Sequence, residues 1–232
     1  MATTRQLLLP FPHEPGYESA DFVAAPSNQA ARAWLARTQA WPDRRLAIWG
    51  GPGCGKTHLL RIWSNRVGAL RCSGPSLRGL PETLPTAGLA IDDADAMADE
   101  ATLLHWLNAA RDAGIPVLLT GRVAPARMPV RLPDLASRLR AITAVAIDPP
   151  DEPLLRALLA HLLSDRQWRL SAEAQDRLLT LLPRTPEALR EAVARLDHAM
   201  LAAGGRLTQD LVRRIAEALP GAQNEDADST DR

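Results

Sequence analysis

The segment Gly50-Gly51-Pro52-Gly53-Cys54-Gly55-Lys56-Thr57 constrains the fold of this chain more than any other. It matches G-x4-G-K-S/T, follows the apolar run Leu46-Ala47-Ile48-Trp49 and precedes a helical pattern over residues 56–67. Strand, glycine turn and helix in that order form the first part of a βα unit, and such units build parallel sheets. Given this chain's own residue counts, a random match to the pattern is expected about 3 times in 10,000. The glycines let backbone N–H groups turn inward around phosphate oxygens, and the helix points its positive end at the same oxygens. Lys56 then reaches the β- and γ-phosphates of a nucleotide, and the Thr57 hydroxyl ligates Mg²⁺. Gly51, Gly53, Cys54, Gly55 and His58 complete the candidate phosphate-binding set, so ATP or ADP with Mg²⁺ is the expected cofactor. A glycine-rich turn without a ligand is the alternative, and the strand–turn–helix context argues against it. Composition adds one point. Of 27 basic residues only Lys56 is lysine. A position that keeps a compact ammonium in an otherwise all-arginine chain needs what a planar guanidinium cannot supply.

The rest of the chain continues the alternation. Further apolar strands are expected at residues 88–91, 115–120 and 142–147, with helices at 27–38 (capped by Ser27), 100–113 and 135–140. Strands that are apolar throughout imply a parallel sheet covered on both faces, hence an α/β fold. After Pro149-Pro150 the strands stop. Amphipathic helices are expected at 152–164, 172–182, 186–203 and 209–219, with Ser171 and Thr208 as caps and Pro186 in a first turn. The expected organisation is an extended segment at 1–20, a nucleotide-binding α/β domain at 21–150, a small helical domain at 151–219 and a disordered acidic tail at 220–232. With 232 residues the chain can bury a full core without staples. Net charge is zero, which counts against a protein that wraps nucleic acid. Cys54 and Cys72 fit no zinc spacing and read as small thiols in a reducing compartment, the cytoplasm. No apolar run approaches the ~20 residues of a membrane span, and no signal peptide is legible.

Leu89-Ala90-Ile91-Asp92-Asp93 ends a buried strand in two acids. Downstream of a phosphate loop, Asp92 holds Mg²⁺ and Asp93 orients the attacking water. Asp95 reads as a turn residue. Arg138 lies in a basic run with Arg122, Arg127, Arg131 and Arg140. Arg122, Arg127 and Arg131 read as a solvated face, and Arg138 as an arginine finger for the γ-phosphate of another subunit, a reading that spacing alone leaves open. Near the start, Gln6-Leu7-Leu8-Leu9-Pro10-Phe11 is apolar within a proline-rich stretch. It reads either as a patch folded back on the body or as a linear motif, with Gln6 hydrogen-bonding and Leu7, Leu9 and Phe11 entering a partner's groove. Residues 12–21 span about 33 Å when extended, enough to reach a separate protein.

Together the glycine loop, Ile91-Asp92-Asp93, Leu132-Pro133-Asp134-Leu135-Ala136-Ser137-Arg138-Leu139 and the helical C-terminal half resemble the AAA+ ATPases of the DnaA initiator group. Asp21-Phe22-Val23 and Pro26-Ser27-Asn28 resemble the segment that opens that domain. Within the group, a chain that stops near Leu219 without a DNA-reading helix-turn-helix is similar to the branch that inactivates the initiator. The resemblance implies that residues 6–11 bind the β sliding clamp of DNA polymerase III, with DNA contacted indirectly through the clamp. It implies that Arg138 is offered to ATP held by DnaA. It further implies that Arg190, in Ala188-Leu189-Arg190-Glu191, is a lid arginine touching phosphate, and that the chain can form homo-oligomers. One departure stands out: the group typically has an acid soon after the third expected strand, where this chain has Thr120-Gly121-Arg122, so weak ATPase activity of its own is expected, with nucleotide binding by Lys56 and the role of Arg138 unaffected. The competing expectation is a self-contained ATPase acting on DNA as a loader or motor. An adaptor that bridges clamp and DnaA without promoting hydrolysis is a third.

Overall fold

Alternation along three apolar strands decides the layering. The computed structural model describes residues 22–79, 85–202, 213–215 and 218. Five parallel strands form one sheet: β1 (Arg45–Trp49), β2 (Leu70–Ser73), β3 (Leu89–Asp92), β4 (Val117–Gly121) and β5 (Thr143–Ala146), in the order β2-β3-β4-β1-β5. Successive side chains point to opposite faces. Ala47, Leu89, Ile91, Val117 and Leu119 therefore share one face, packed on α3 (Glu100–Asp112) and α4 (Pro133–Ala141) through Leu103, Leu107, Leu135 and Leu139. Leu46, Ile48, Ala90, Leu118 and Val145 share the other face, packed on α1 (Pro26–Ala36) and α2 (Lys56–Val67) through Ala31, Leu35, Leu59, Leu60 and Trp63. Truncating a fully buried member of either set, such as Leu119, to Ala costs about 2–5 kcal/mol.

Two expectations are corrected. The sheet has five strands where four were expected. The missing one, β2, pairs only with β3 at the sheet edge, and Leu70, Arg71 and Ser73 are exposed. An edge strand with one covered side carries no continuous apolar run, and Leu70-Arg71-Cys72-Ser73 offers only a four-residue alternation. Ser27 does not cap α1. The helix begins at Pro26, and Asn28 reaches back instead: its Oδ1 accepts from Ala25 N–H at 3.1 Å and its Nδ2 donates to Val23 O at 3.0 Å.

After residue 150 the chain builds helices around a separate apolar cluster. They are α5 (Glu152–Asp165), α6 (Ala172–Leu181) and α7 (Pro186–Ala202), packed through Leu155, Leu159, Leu178, Leu189, Val193 and Leu196. Side-chain caps start all three. Asp151 accepts from Leu154 N–H at 2.9 Å, Ser171 from Ala174 N–H at 3.3 Å and Thr185 from Ala188 N–H at 3.2 Å. Residues 213–215 are helical, within the helix expected at 209–219; Thr208, residues 1–20 and residues 220–232 lie outside the described residues. Among the described residues no helix is long and apolar enough to cross a membrane.

Candidate nucleotide site

Parallel strands bring their C-terminal ends to one edge, and the glycine loop, Asp92 and Asp93 gather there. The register sets Ile48 beside Thr120 and Ile91 beside Leu119, so Asp92, Thr120 and the start of the glycine loop line the same edge. The loop leaves β1 after Trp49, and Gly50 N–H donates to Gly121 O at 3.2 Å. Gly53 (φ +70°) and Gly55 (φ +101°) take left-handed backbone angles, which turn the loop back toward α2. No side chain caps the N-terminus of α2, whose N-cap is Gly55. Its first N–H groups have no intrahelical acceptor, and that arrangement suits an anion. Lys56 is buried, and its Nζ donates to Gly50 O at 2.8 Å and Gly51 O at 2.7 Å, which holds the ammonium over the loop. Thr57 is half-buried in the first turn of α2. Uncapped amides, a loop-held ammonium, and the hard oxygens of Thr57 and Asp92 fit a Mg²⁺-bound nucleotide phosphate.

Gly50 has a second constraint. A Cβ there would sit 2.6 Å from Ile147 O, the carbonyl that follows β5. Gly50→Ala is therefore expected to displace the loop from β5, with a stability loss of roughly 1–3 kcal/mol and weaker nucleotide binding. Urea unfolding and calorimetric titration of the variant check both effects.

Cys54 is buried beneath the loop with its Sγ 3.8 Å from Lys56 Nζ. His58 is buried too, and its ring meets the edge of Phe22 at 5.1 Å and 84°. Phe22 in turn lies over Gly55, 3.2 Å from where a Cβ would stand. His58 thus supports an aromatic wall beside the loop. That wall residue, Phe22, was not among the expected site residues; its sequence signals are an aromatic just before the first helix and its place in Asp21-Phe22-Val23.

Asp92 ends β3, and the Thr120 hydroxyl donates to its Oδ1. The Asp93 N–H donates to the same hydroxyl oxygen at 3.3 Å, which ties β4 to both acids. Asp93 itself has a left-handed backbone (φ +49°). Burial, with help from Asp92 and Asp95, pushes its carboxyl above the usual range, against the pull of Lys56 and Arg122. The folded value exceeds the unfolded one, so the ionised carboxylate disfavours folding at neutral pH, and the penalty vanishes below the unfolded carboxylate range. Asp93→Asn keeps a residue that tolerates this backbone. The variant is expected to melt slightly higher than the parent at pH 7 and level with it in acid. An unchanged difference across that range in thermal melts counts against the assignment.

Asp95 does more than turn the chain. Its Oδ2 accepts from Arg122 N–H at 2.7 Å, and its Oδ1 comes within 3.0 Å of where a Gly121 Cβ would be. This latch joins the segment after β3 to the end of β4. The arginine that stands where an acid was expected is thereby held through its backbone.

From the helical half, Glu187 in the first turn of α7 touches the loop, with Oε2 3.4 Å from the Gly53 Cβ position. Arg190 follows three residues later, and residues at that spacing share a helix face. It is half-buried.

Arg138 is elsewhere. It sits in the last turn of α4 and lines a pocket with Arg45, the first residue of β1, and with Gly114, Ile115 and Ala141, which precede β4 and β5. The glycine loop leaves the other end of β1, roughly 13 Å along a five-residue strand. Among the described residues Arg138 makes no hydrogen bond or ion pair. Gln6, Leu7, Leu9 and Phe11 lie outside the described residues.

The five-stranded parallel sheet covered by helices on both faces is an α/β fold that resembles solved DnaA and RuvB structures. Domain III of the Thermotoga maritima replication initiation protein DnaA superposes with a TM-score of 0.73 at 21% identity, covering 88% of this chain and 97% of that one. AMPPCP-bound DnaA from Aquifex aeolicus gives 0.67 at 17% identity over 83% of this chain and 67% of that one. A Thermotoga maritima RuvB variant gives 0.66 at 17% identity, over 88% and 75%. In sequence, an uncharacterized protein of Haemophilus influenzae is 29% identical over 183 residues, 72% of this chain and 79% of that one. The chromosomal replication initiator protein DnaA of Thermotoga petrophila is 24% identical over 220 residues, 83% of this chain. The chain spans about half the length of that initiator (50%). No protein-family model matches.

Proposed function

We propose that this protein is a nucleotide-binding regulator of replication initiation, similar in role to Hda, and acts on ATP held by DnaA rather than chiefly on its own. Lys56 and the loop amides bind the phosphates of ADP or ATP, Thr57 and Asp92 hold Mg²⁺, and Asp93 with Thr120 positions water. The helices after residue 150 serve as a lid, with Glu187 touching the loop and Arg190 in reach of phosphate. The observation that carries the reading is the place of Arg138. It lies at the sheet edge opposite its own loop and is unpaired among the described residues, which suits a guanidinium meant for another subunit. Similarity to DnaA in sequence and in fold supports DnaA as that subunit.

The test is hydrolysis of DnaA-bound ATP with clamp-loaded DNA, with and without this protein. Conversion to ADP that depends on the protein supports the regulator. Steady turnover by the protein alone on DNA, with DnaA-bound ATP untouched, selects the self-contained loader or motor instead. Clamp docking has its own check. The Gln6→Ala, Leu7→Ala double variant is expected to lose clamp binding in surface-immobilised assays with its melting temperature unchanged. A fall of several degrees would assign residues 6–11 to the body of the protein.

A further inference from the structure

Positive charge is concentrated at one place in a chain whose net charge is zero. At the N-terminal edge of the sheet a pocket of about 440 Å³ is lined by Arg44, Arg45, Arg111 and Arg138, with Asp43 the lone lining carboxylate. That volume is many times the roughly 30 Å³ share of one water molecule. Arg45 is 94% buried (6% exposed) although it opens β1, and its Nη2 donates to Leu107 O at 3.2 Å. Among the described residues neither Arg45 nor Arg138 has a carboxylate within ion-pair distance, and Arg111 pairs only with its neighbour Asp112, at 3.2 Å. Arg44 donates to Gly114 O at 2.6 Å, and it and Asp43 take left-handed backbone angles (φ +54° and +48°) to bring the turn against the pocket. Burial, followed by the charges of Arg138 and Arg111, makes the Arg45 guanidinium easier to deprotonate than usual.

Buried or crowded cations are ordinarily paired, because desolvation and mutual repulsion both disfavour an uncompensated charge. Guanidiniums match the geometry of phosphoryl oxygens two at a time, which a single cation at a surface does not. We propose that the pocket formed by Arg44, Arg45, Arg111 and Arg138 binds a phosphoryl oxyanion. The binding itself requires nothing of the trans-acting reading. What rests on that reading is the consequence: an occupied pocket draws Arg138 inward and withholds it from a second subunit. Two sources share the chemistry, free phosphate or pyrophosphate and the terminal phosphate of a nucleotide held by that second subunit.

The experiment begins with the full chain carrying Lys56→Ala, which disables the glycine loop as a competing site. Calorimetric titration with sodium pyrophosphate at low ionic strength is expected to show saturable binding. Adding Arg111→Gln or Arg138→Ala, both outside the core, is expected to weaken it about tenfold or more, equivalent to ~1.4 kcal/mol. Absent saturation, or equal affinity in all three proteins, overturns the proposal. Because only one protein is present, failure here leaves the finger reading standing, and failure of the finger leaves this result standing. The sources are separated with the parental protein acting on DnaA-bound ATP at constant Mg²⁺. Inorganic phosphate that slows the reaction supports a pocket shared with the partner's nucleotide. Phosphate that binds without slowing it supports a free-anion site.

Discussion

Arg138→Ala is expected to abolish stimulated hydrolysis of DnaA-bound ATP while leaving the protein's own nucleotide binding intact. A finger sets a fixed charge against oxygens that gain charge only as the γ-phosphate departs. It therefore stabilises the transition state more than bound ATP, and comparable fingers contribute roughly 10³–10⁵ in rate. The location of Arg138 separates the two activities. It lines the edge where β1 begins, and the glycine loop follows the residue where β1 ends. It packs into neither apolar cluster of the sheet and makes no ion pair among the described residues, so its loss leaves no buried partner orphaned. Melting temperature and ADP affinity should match the parent. Arg138→Lys should recover little, because an ammonium lacks the planar fork. The deciding measurement is a mixing assay with clamp and DNA at saturation. Parental rates of DnaA-ADP formation by Arg138→Ala would refute the finger and leave the adaptor.

Lys56→Ala is expected to weaken ADP and ATP binding at least tenfold, about 1.4 kcal/mol or more. Lys56 is 7% exposed and its ammonium is held by two loop carbonyls, so it would lose little freedom on binding phosphate. Lys56→Arg should fail as well. The guanidinium is larger and planar, and the space bounded by Gly50, Gly51 and Cys54 is built around a compact ammonium. Stability supplies a second readout. The parent should gain melting temperature with added ADP as RT ln(1 + [L]/Kd) requires, and the variant should not. Unchanged calorimetric affinity in Lys56→Ala would remove the loop from the nucleotide reading.

Much of this was readable along the chain. β1, β3 and β4 are short apolar runs, and their burial on both faces follows from a parallel sheet. The loop announces itself because its pattern is local: four glycines, one lysine and one threonine fall within eight residues. Ser171 caps its helix as the pattern implies, because a cap needs only the three residues after it. Other features depend on partners remote in sequence. β2 carries no continuous apolar run and becomes a strand only because β3 offers it a free edge. Ser27 looks like a cap by type, and Asn28 took the task because its longer amide reaches both Ala25 and Val23.

Local pattern therefore settled the class of fold, the glycine turn between β1 and α2 and the acid that ends β3, since each is written in residues that are neighbours in the chain. Tertiary structure alone decided how those pieces meet. The Thr120 hydroxyl joins Asp92 and Asp93 from a strand 28 residues away from Asp92. Asp95 latches the backbone of Arg122 across 27 residues. Phe22 and Glu187 reach the glycine loop from opposite ends of the described chain. Arg138 joins Arg45 only because α4 packs beneath the start of β1. Sequence periodicity records which face a residue buries but not which distant residue it will find there. That choice belongs to the strand order and register, which bring the C-terminal strand ends and their acids to one edge of the sheet and the arginine pocket to the other.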